Sequence, residues 1–144
     1  MTKNTILLNH ALVEWFEFTL RDVIVDTLEK EDQYIVHSKM VGAGFKIRHR
    51  YNRCLEEERG LSSIHFLDFP DYAKIIDENK DIFRSLLGDP QKWVKALQGE
   101  LVLIRNAMRH SRGGYLSDRR ALQLIGWCEK LQEVNEARKR RERK

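Results

Sequence analysis

The sequence contains few of the residues that interrupt helices or cross-link chains. Its 144 residues include two prolines and two cysteines, and the strict apolar–polar alternation of a half-buried strand is scarce. The spacing of Cys54 and Cys128 does not suggest a metal-ligand pair, and it favours reduced thiols in a reducing compartment. No apolar run reaches the length of about 18 residues that predicts a transmembrane helix. We therefore expect a protein with no membrane-spanning segment.

The start of the chain also lacks the pattern of a secretory signal. Residues 1–4 lead directly into a helical pattern that contains Asn9, His10 and Glu14, so we expect a cytoplasmic protein. His10 and Glu14 share a helix face, but zinc sites need three or four ligands and no third candidate is evident. Neither a metal nor another cofactor is expected.

What the chain does contain is helical periodicity. Apolar residues make up 42% of the sequence and recur at helical spacing almost throughout, which predicts an all-α helical bundle of about five helices. We expect one domain over residues 1–137 and a basic, frayed tail over 138–144. The expected helices cover about 5–28, 33–58, 70–87 (with a possible end at Asn79), 90–111 and 118–137.

Positive charge is concentrated in two places. The tail from 138 to 144 holds six basic residues and one acidic residue, so the rest of the chain is close to neutral against a total charge of +4. Within that remainder, residues 105–120 carry five arginines and one aspartate. The arginines of this segment are Arg105, Arg109, Arg112, Arg119 and Arg120.

The fourth expected helix contains the densest group of reactive side chains, Arg105-Asn106-Ala107-Met108-Arg109-His110. Its apolar residues fall within a stripe about 80° wide, which predicts the face that packs on the core. Asn106 lies about opposite this stripe and His110 about 140° from its centre, so His110 is not expected to be a core histidine. The stripe consists of Trp93, Leu97, Leu101, Ile104 and Met108.

The spacing of the arginine and the histidine limits how they can act together. Arg105 and His110 are five positions apart, or about 140° around a straight helix, so they do not point at one small phosphate. Either the helix end bends, or a second copy of the chain completes the site. Val102 and Leu103 flank the Asn106–His110 face and offer apolar material for an interface, so we favour a homodimer with a composite cleft.

Arg105-Asn106-x-x-x-His110, late in a helix of a small all-α chain, resembles the signature of the HEPN superfamily. The helix before the motif and the helix after Ser117 are similar to the layout of that superfamily. The resemblance is good from about Phe66 onward, and the first half of the chain matches as generic helices. Where members paired with a nucleotidyltransferase antitoxin often have a tyrosine, two positions after the histidine, this chain has Arg112.

The resemblance implies a metal-independent endoribonuclease, usually dimeric, from a toxin–antitoxin, antiphage-defence or RNA-processing system. It assigns catalytic roles to Arg105 and His110 and a supporting role to Asn106. The expected products are a 2′,3′-cyclic phosphate and a 5′-hydroxyl. The residues expected to follow the RNA backbone are Arg109, Arg112, Arg119 and Arg120.

Three alternatives stay open. The motif could be a solvated helix end whose arginines cover apolar surface. The domain could bind RNA or a protein partner without cleaving anything, for instance as the partner of an antitoxin or a subunit of a defence assembly. It could also be a purely structural helical domain.

Overall fold

The structure, a computed structural model, describes residues 3–31, 68–110 and 116–142. These residues form six α-helices and contain no strand, which confirms the all-α class. The helix expected over 33–58 lies outside the described residues. In chain order the helices are α1 (Lys3–Glu31), α2 (Phe69–Glu78), α3 (Lys80–Leu87), α4 (Pro90–Gln98), α5 (Glu100–His110) and α6 (Asp118–Glu142).

Short polar side chains define where several helices begin. The Asp68 backbone N–H donates to the Asp71 carboxylate at the start of α2, over 3.1 Å. At the start of α4, the Asp89 carboxylate accepts from the Gln91 backbone N–H over 3.0 Å. The Ser117 hydroxyl accepts in the same way at the start of α6. Each contact satisfies a backbone donor that the first helical turn leaves unpaired.

Two of the expected helices are each divided in two. The segment 70–87 breaks at Asn79, whose side-chain amide donates to the Ile75 carbonyl over 2.7 Å and so takes an acceptor from α2. The segment 90–111 breaks at Gly99, where a Cβ would lie 3.0 Å from the Lys95 carbonyl oxygen. An asparagine that bonds back to the main chain and a glycine of low helix propensity account for these two ends.

The two long helices run parallel to each other. Near its N-terminus α1 meets α6 where the Leu12 carbonyl accepts from the Cys128 thiol, and further along the Asp22 carbonyl accepts from Arg138. The short helices α2, α3 and α5 pack against this pair, and α4 packs against α2, α3 and α5. As a result α1 contacts both α2 and α5.

The core contains the residues that helical spacing places there. All five residues of the stripe predicted on the fourth helix are buried, although they are shared between α4 and α5. On α1 the residues Phe16, Leu20, Val23, Ile24 and Leu28 are completely buried. Some apolar residues near the starts of α1 and α6 are exposed, namely Leu8, Leu122 and Ile125.

Residues 138–142 of the basic segment are helical, where we expected a frayed tail. Helix α6 continues through Glu142, because two arginines of this segment bond to other helices. Arg138 forms an ion pair with Asp26 and donates to the Asp22 carbonyl, and Arg141 donates to the Ser85 carbonyl over 3.0 Å. These contacts anchor the end of α6 to α1 and α3.

Within the part of the chain that the structure describes, none of the helices combines the length and the apolar character needed to cross a membrane.

Replacing Leu101 with alanine tests the core assignment. Leu101 is 1% exposed, so the cavity left behind should lower the free energy of unfolding by about 2–5 kcal/mol. Leu122→Ala on α6 is the control, since Leu122 is 69% exposed and should cost less than about 0.5 kcal/mol. Urea unfolding followed by circular dichroism measures both. Equal losses for the two variants would contradict the assigned orientation of α5.

Cys128 should react slowly with thiol reagents. Burial raises the pKa of its thiol to about 11, with a further contribution from the nearby Glu129 carboxylate. At pH 8 about 0.1% of the thiol would then be thiolate, the reactive form. In a Cys54→Ser variant, labelling by iodoacetamide should be much slower in the folded protein than in urea, and should accelerate as the pH rises towards 11. Rapid labelling of the folded variant at pH 8 would contradict this burial.

Candidate functional site

Arg105, the arginine of the motif, is buried and has a carboxylate partner. It lies in the middle of α5 with 8% of its surface exposed. One terminal nitrogen of its guanidinium donates to Glu17 Oε1 of α1 over 3.0 Å. The guanidinium carbon lies 5.2 Å from the centre of the Phe69 ring of α2. Three helices therefore fix the position of this side chain.

Arg105 is one of the residues that line a groove between α1 and α5. The groove has a volume of about 340 Å³ and is lined by residues of these two helices. Its polar lining carries both signs of charge, so it is close to neutral when His10 is neutral. The lining residues are His10, Val13, Glu14, Glu17, Arg105, Met108 and Arg109.

The ion pair of Arg105 and Glu17 is connected to α2 through Arg21. Glu17 Oε1 also lies 4.0 Å from a terminal nitrogen of Arg21, one turn further along α1. Arg21 Nε donates to the Tyr72 hydroxyl over 3.1 Å. Burial raises the pKa of the Tyr72 hydroxyl, and the hydrogen bond from Arg21 opposes this shift. Tyr72 is therefore a neutral acceptor, and the row Arg105–Glu17–Arg21–Tyr72 holds two cations and one anion.

The other two residues of the motif follow the predicted helix faces as far as they are described. Asn106 is exposed, as expected for a position opposite the core stripe. His110 is the last residue of α5, and its side chain lies outside the described residues. Helix α5 is continuous from Arg105 to His110, so the backbone keeps their directions about 140° apart.

The arginines predicted to bind RNA do not all lie at the groove. Arg109 is exposed and belongs to its lining. Arg119 is exposed in the first turn of α6, and Arg120 donates to the Gln123 side chain over 2.9 Å. Neither of these two lines the groove. Arg112 lies outside the described residues.

Sequence reasoning missed Glu17, which proves to be the partner of Arg105, and it considered His10 and Glu14 solely as metal ligands. A signal was present, since His10, Glu14, Glu17 and Arg21 follow one another at steps of four, three and four on α1. This spacing forms a polar stripe along one helix face. Nothing in the sequence pairs that stripe with Arg105, because the two residues of the ion pair are 88 positions apart.

A metal site was not expected from the sequence. Among the side chains that the structure describes, no three from His, Cys, Asp and Glu are grouped so that they could hold a metal ion. A larger cavity of about 460 Å³ lies beside Trp93 and Trp127, and none of the predicted site residues lines it. The groove between α1 and α5 is thus a cavity that contains part of the motif.

Comparisons of the chain with protein-family models, with curated proteins and with solved structures found no match. The chemistry that the groove can support therefore rests on its own residues.

Glu17→Ala should destabilise the fold. The substitution leaves the Arg105 guanidinium buried without its carboxylate, and breaking such a pair typically costs about 3 kcal/mol or more. Glu14→Ala is a matched control, because Glu14 is an exposed glutamate on the same helix and in the same groove. It should change the free energy of unfolding by less than about 0.5 kcal/mol. A Glu17→Ala variant as stable as the control would show that the ion pair contributes little.

Proposed function

We propose that this chain is a metal-independent endoribonuclease of the HEPN type, acting as a homodimer in the cytoplasm. The observation that carries the proposal is the setting of Arg105. This arginine of the Arg-Asn-x-x-x-His motif is held by Glu17 and Phe69 at the edge of a groove. An arginine fixed in advance can stabilise charge that develops on a phosphate without reorganising during the reaction.

The proposed reaction uses the nucleophile that RNA carries itself. A base removes the proton of the 2′-hydroxyl, and the 2′-oxygen attacks the adjacent phosphorus. The bond from phosphorus to the 5′-oxygen breaks, and an acid gives that oxygen a proton. The products are a 2′,3′-cyclic phosphate and a 5′-hydroxyl end. DNA lacks the 2′-hydroxyl and should not be cleaved.

His110 is the proposed proton-transfer group, since an imidazole with an ordinary pKa of about 6.5 can both accept and donate a proton near neutral pH. Arg105 binds the phosphate and stabilises its developing charge, a task that suits the planar guanidinium. Asn106 orients the phosphate or His110 by hydrogen bonding. The residues proposed to follow the RNA backbone are Arg109, Arg112, Arg119 and Arg120.

The dimer is proposed because a continuous α5 aims Arg105 and His110 in different directions. In a symmetric pair, the arginine of one copy can meet the histidine of the other across the two-fold axis. Leu103 supports such an interface, since it is 52% exposed beside the Asn106–His110 face. An antitoxin or another defence-complex protein is a further proposed partner, on the strength of the HEPN resemblance.

The ion pair of Arg105 also favours a second candidate function. An arginine that is buried against a carboxylate in its own chain can serve the fold alone, as a charge that joins α5 to α1. The chain would then be a non-catalytic module of HEPN type that binds RNA or a protein. Arg109, at the groove but outside this ion pair, would be its main contact.

Cleavage of single-stranded RNA in excess chelator separates the two candidates. We expect cleavage to persist without metal, and His110→Ala to slow it by about 10²–10⁴-fold through loss of proton transfer. Arg105→Lys, which keeps a cation beside Glu17, should slow it by about 10²-fold or more. Arg84→Ala, an exposed arginine of α3, is the control and should cleave as the unaltered protein does. Loss of cleavage on adding chelator would exclude the mechanism, and binding without cleavage would favour the module.

Mixing two inactive variants tests the composite site. A heterodimer of Arg105→Lys and His110→Ala subunits has one site with both an intact arginine and an intact histidine. After full subunit exchange, half the molecules are heterodimers with one of two sites intact, so about a quarter of the original activity should return. Size-exclusion chromatography with light scattering would first establish the dimer. A mixture with no recovered activity would place both residues in the same subunit's site.

A further inference from the structure

Glu17 has an unusual position for a carboxylate beside a phosphate-binding arginine. It lies on α1 between two guanidiniums, 3.0 Å from that of Arg105 and 4.0 Å from that of Arg21. All three side chains are largely buried, with 9% of Arg105, 19% of Glu17 and 12% of Arg21 exposed. Burying a carboxylate costs free energy, and an uncompensated anion here would also weaken the binding of a phosphate. The reason for the position of Glu17 has two parts.

The first part of that reason is geometric. The Arg105 guanidinium has Glu17 at one terminal nitrogen and the Phe69 ring 5.2 Å from its carbon. Its Nε is fully buried and has no hydrogen-bond partner among the described residues, so this side of the group faces protein. Glu17 takes one of five N–H donors and Nε is buried, so three N–H groups on the terminal nitrogens have no role in these contacts. The side chain is thus ordered before any ligand arrives.

The second part is electrostatic. Arg21 lies on the other side of Glu17 and is itself fixed by its hydrogen bond to the Tyr72 hydroxyl. One carboxylate shared by two guanidiniums leaves a net charge of about +1 on the group. Glu17 therefore holds Arg105, and the three side chains together still attract the single negative charge of a phosphodiester.

We propose that Glu17 is a positioning residue for Arg105, which holds the guanidinium in the orientation that meets the scissile phosphate. This inference rests on the proposed ribonuclease function. Glu17 does not touch the RNA. It acts because the flexible Arg105 side chain loses its conformational entropy during folding, before the RNA binds. The competing interpretation, that Glu17 occupies the phosphate's place on Arg105, predicts the opposite effect of its removal.

The first test compares variants of Glu17 in cleavage of a mixed-sequence single-stranded RNA. Glu17→Gln keeps an oxygen that can accept the Arg105 N–H, so kcat should stay within about tenfold of the original. Glu17→Ala should lower kcat by about 10²-fold with KM changed by a few-fold at most, because a misplaced group costs the transition state most. Glu133→Gln, an exposed glutamate on α6, is the control and should match the unaltered protein.

Separate measurements test whether each variant is folded and whether Glu17 competes with the RNA phosphate for Arg105. Circular dichroism is recorded for each variant, and if Glu17→Ala is unfolded, Glu17→Asp replaces it, since the shorter side chain keeps the charge and loses the reach. Binding of 2′-O-methyl RNA of the same sequence is measured in parallel. A Glu17→Ala variant that cleaves at the original rate, or variants that bind this uncleavable RNA more tightly than the original, would overturn the positioning role.

The second test does not depend on cleavage. In protein labelled with ¹⁵N-arginine, the Nε–H signal of Arg105, identified by its loss in Arg105→Lys, should exchange slowly with water because Nε is buried. It should keep this protection in Glu17→Gln and lose it in Glu17→Ala. If the unaltered protein cleaves no RNA, the proposed function fails and this signal alone decides whether Glu17 holds Arg105. An unchanged signal in Glu17→Ala would overturn the inference even in an active enzyme.

Discussion

Burial of the apolar face of α1 is the constraint on which the rest of the arrangement depends. Phe16, Leu20 and Ile24 are completely excluded from solvent, and the Phe16 ring meets the Phe69 ring edge-on at 5.7 Å. With that face fixed, the rotation of α1 about its axis is fixed as well. The polar stripe that contains Glu17 then lies towards α5, so the hydrophobic core determines which side chains can reach Arg105.

Helical spacing was sufficient to predict the class of the fold and most of its core, because burial depends mainly on which residues share a helix face. It gave the end at Asn79 as one of two possibilities and did not predict the break at Gly99, where a missing side chain decides the outcome locally. The contact between Glu17 and Arg105 could not be predicted from the sequence for a different reason. It joins helices that are distant in sequence, and no local pattern specifies which polar stripe faces which arginine.

The groove is less basic than the arginine content of residues 105–120 suggests. Two carboxylates line it together with two arginines, and Arg119 and Arg120 lie elsewhere on α6. A surface of this kind attracts a polyanion weakly from a distance, since nearby opposite charges cancel beyond about one Debye length. Selectivity for a phosphate would then come from the fixed geometry of one guanidinium, which acts at contact distance.

Because the helix breaks at Gly99, the rotation of α5 about its axis is not a continuation of that of α4. Glu100, its first residue, accepts from the Trp127 indole over 2.7 Å, and Arg105 bonds to Glu17 further along the same helix. These two anchors and the packing of α5 against α4 together set the angle of α5. Inserting one residue inside α5 would turn everything after it by about 100°, whereas a change of length at Gly99 could be absorbed before the first anchor. Evolution of this fold should therefore tolerate insertions at residue 99 and reject them between 100 and 105.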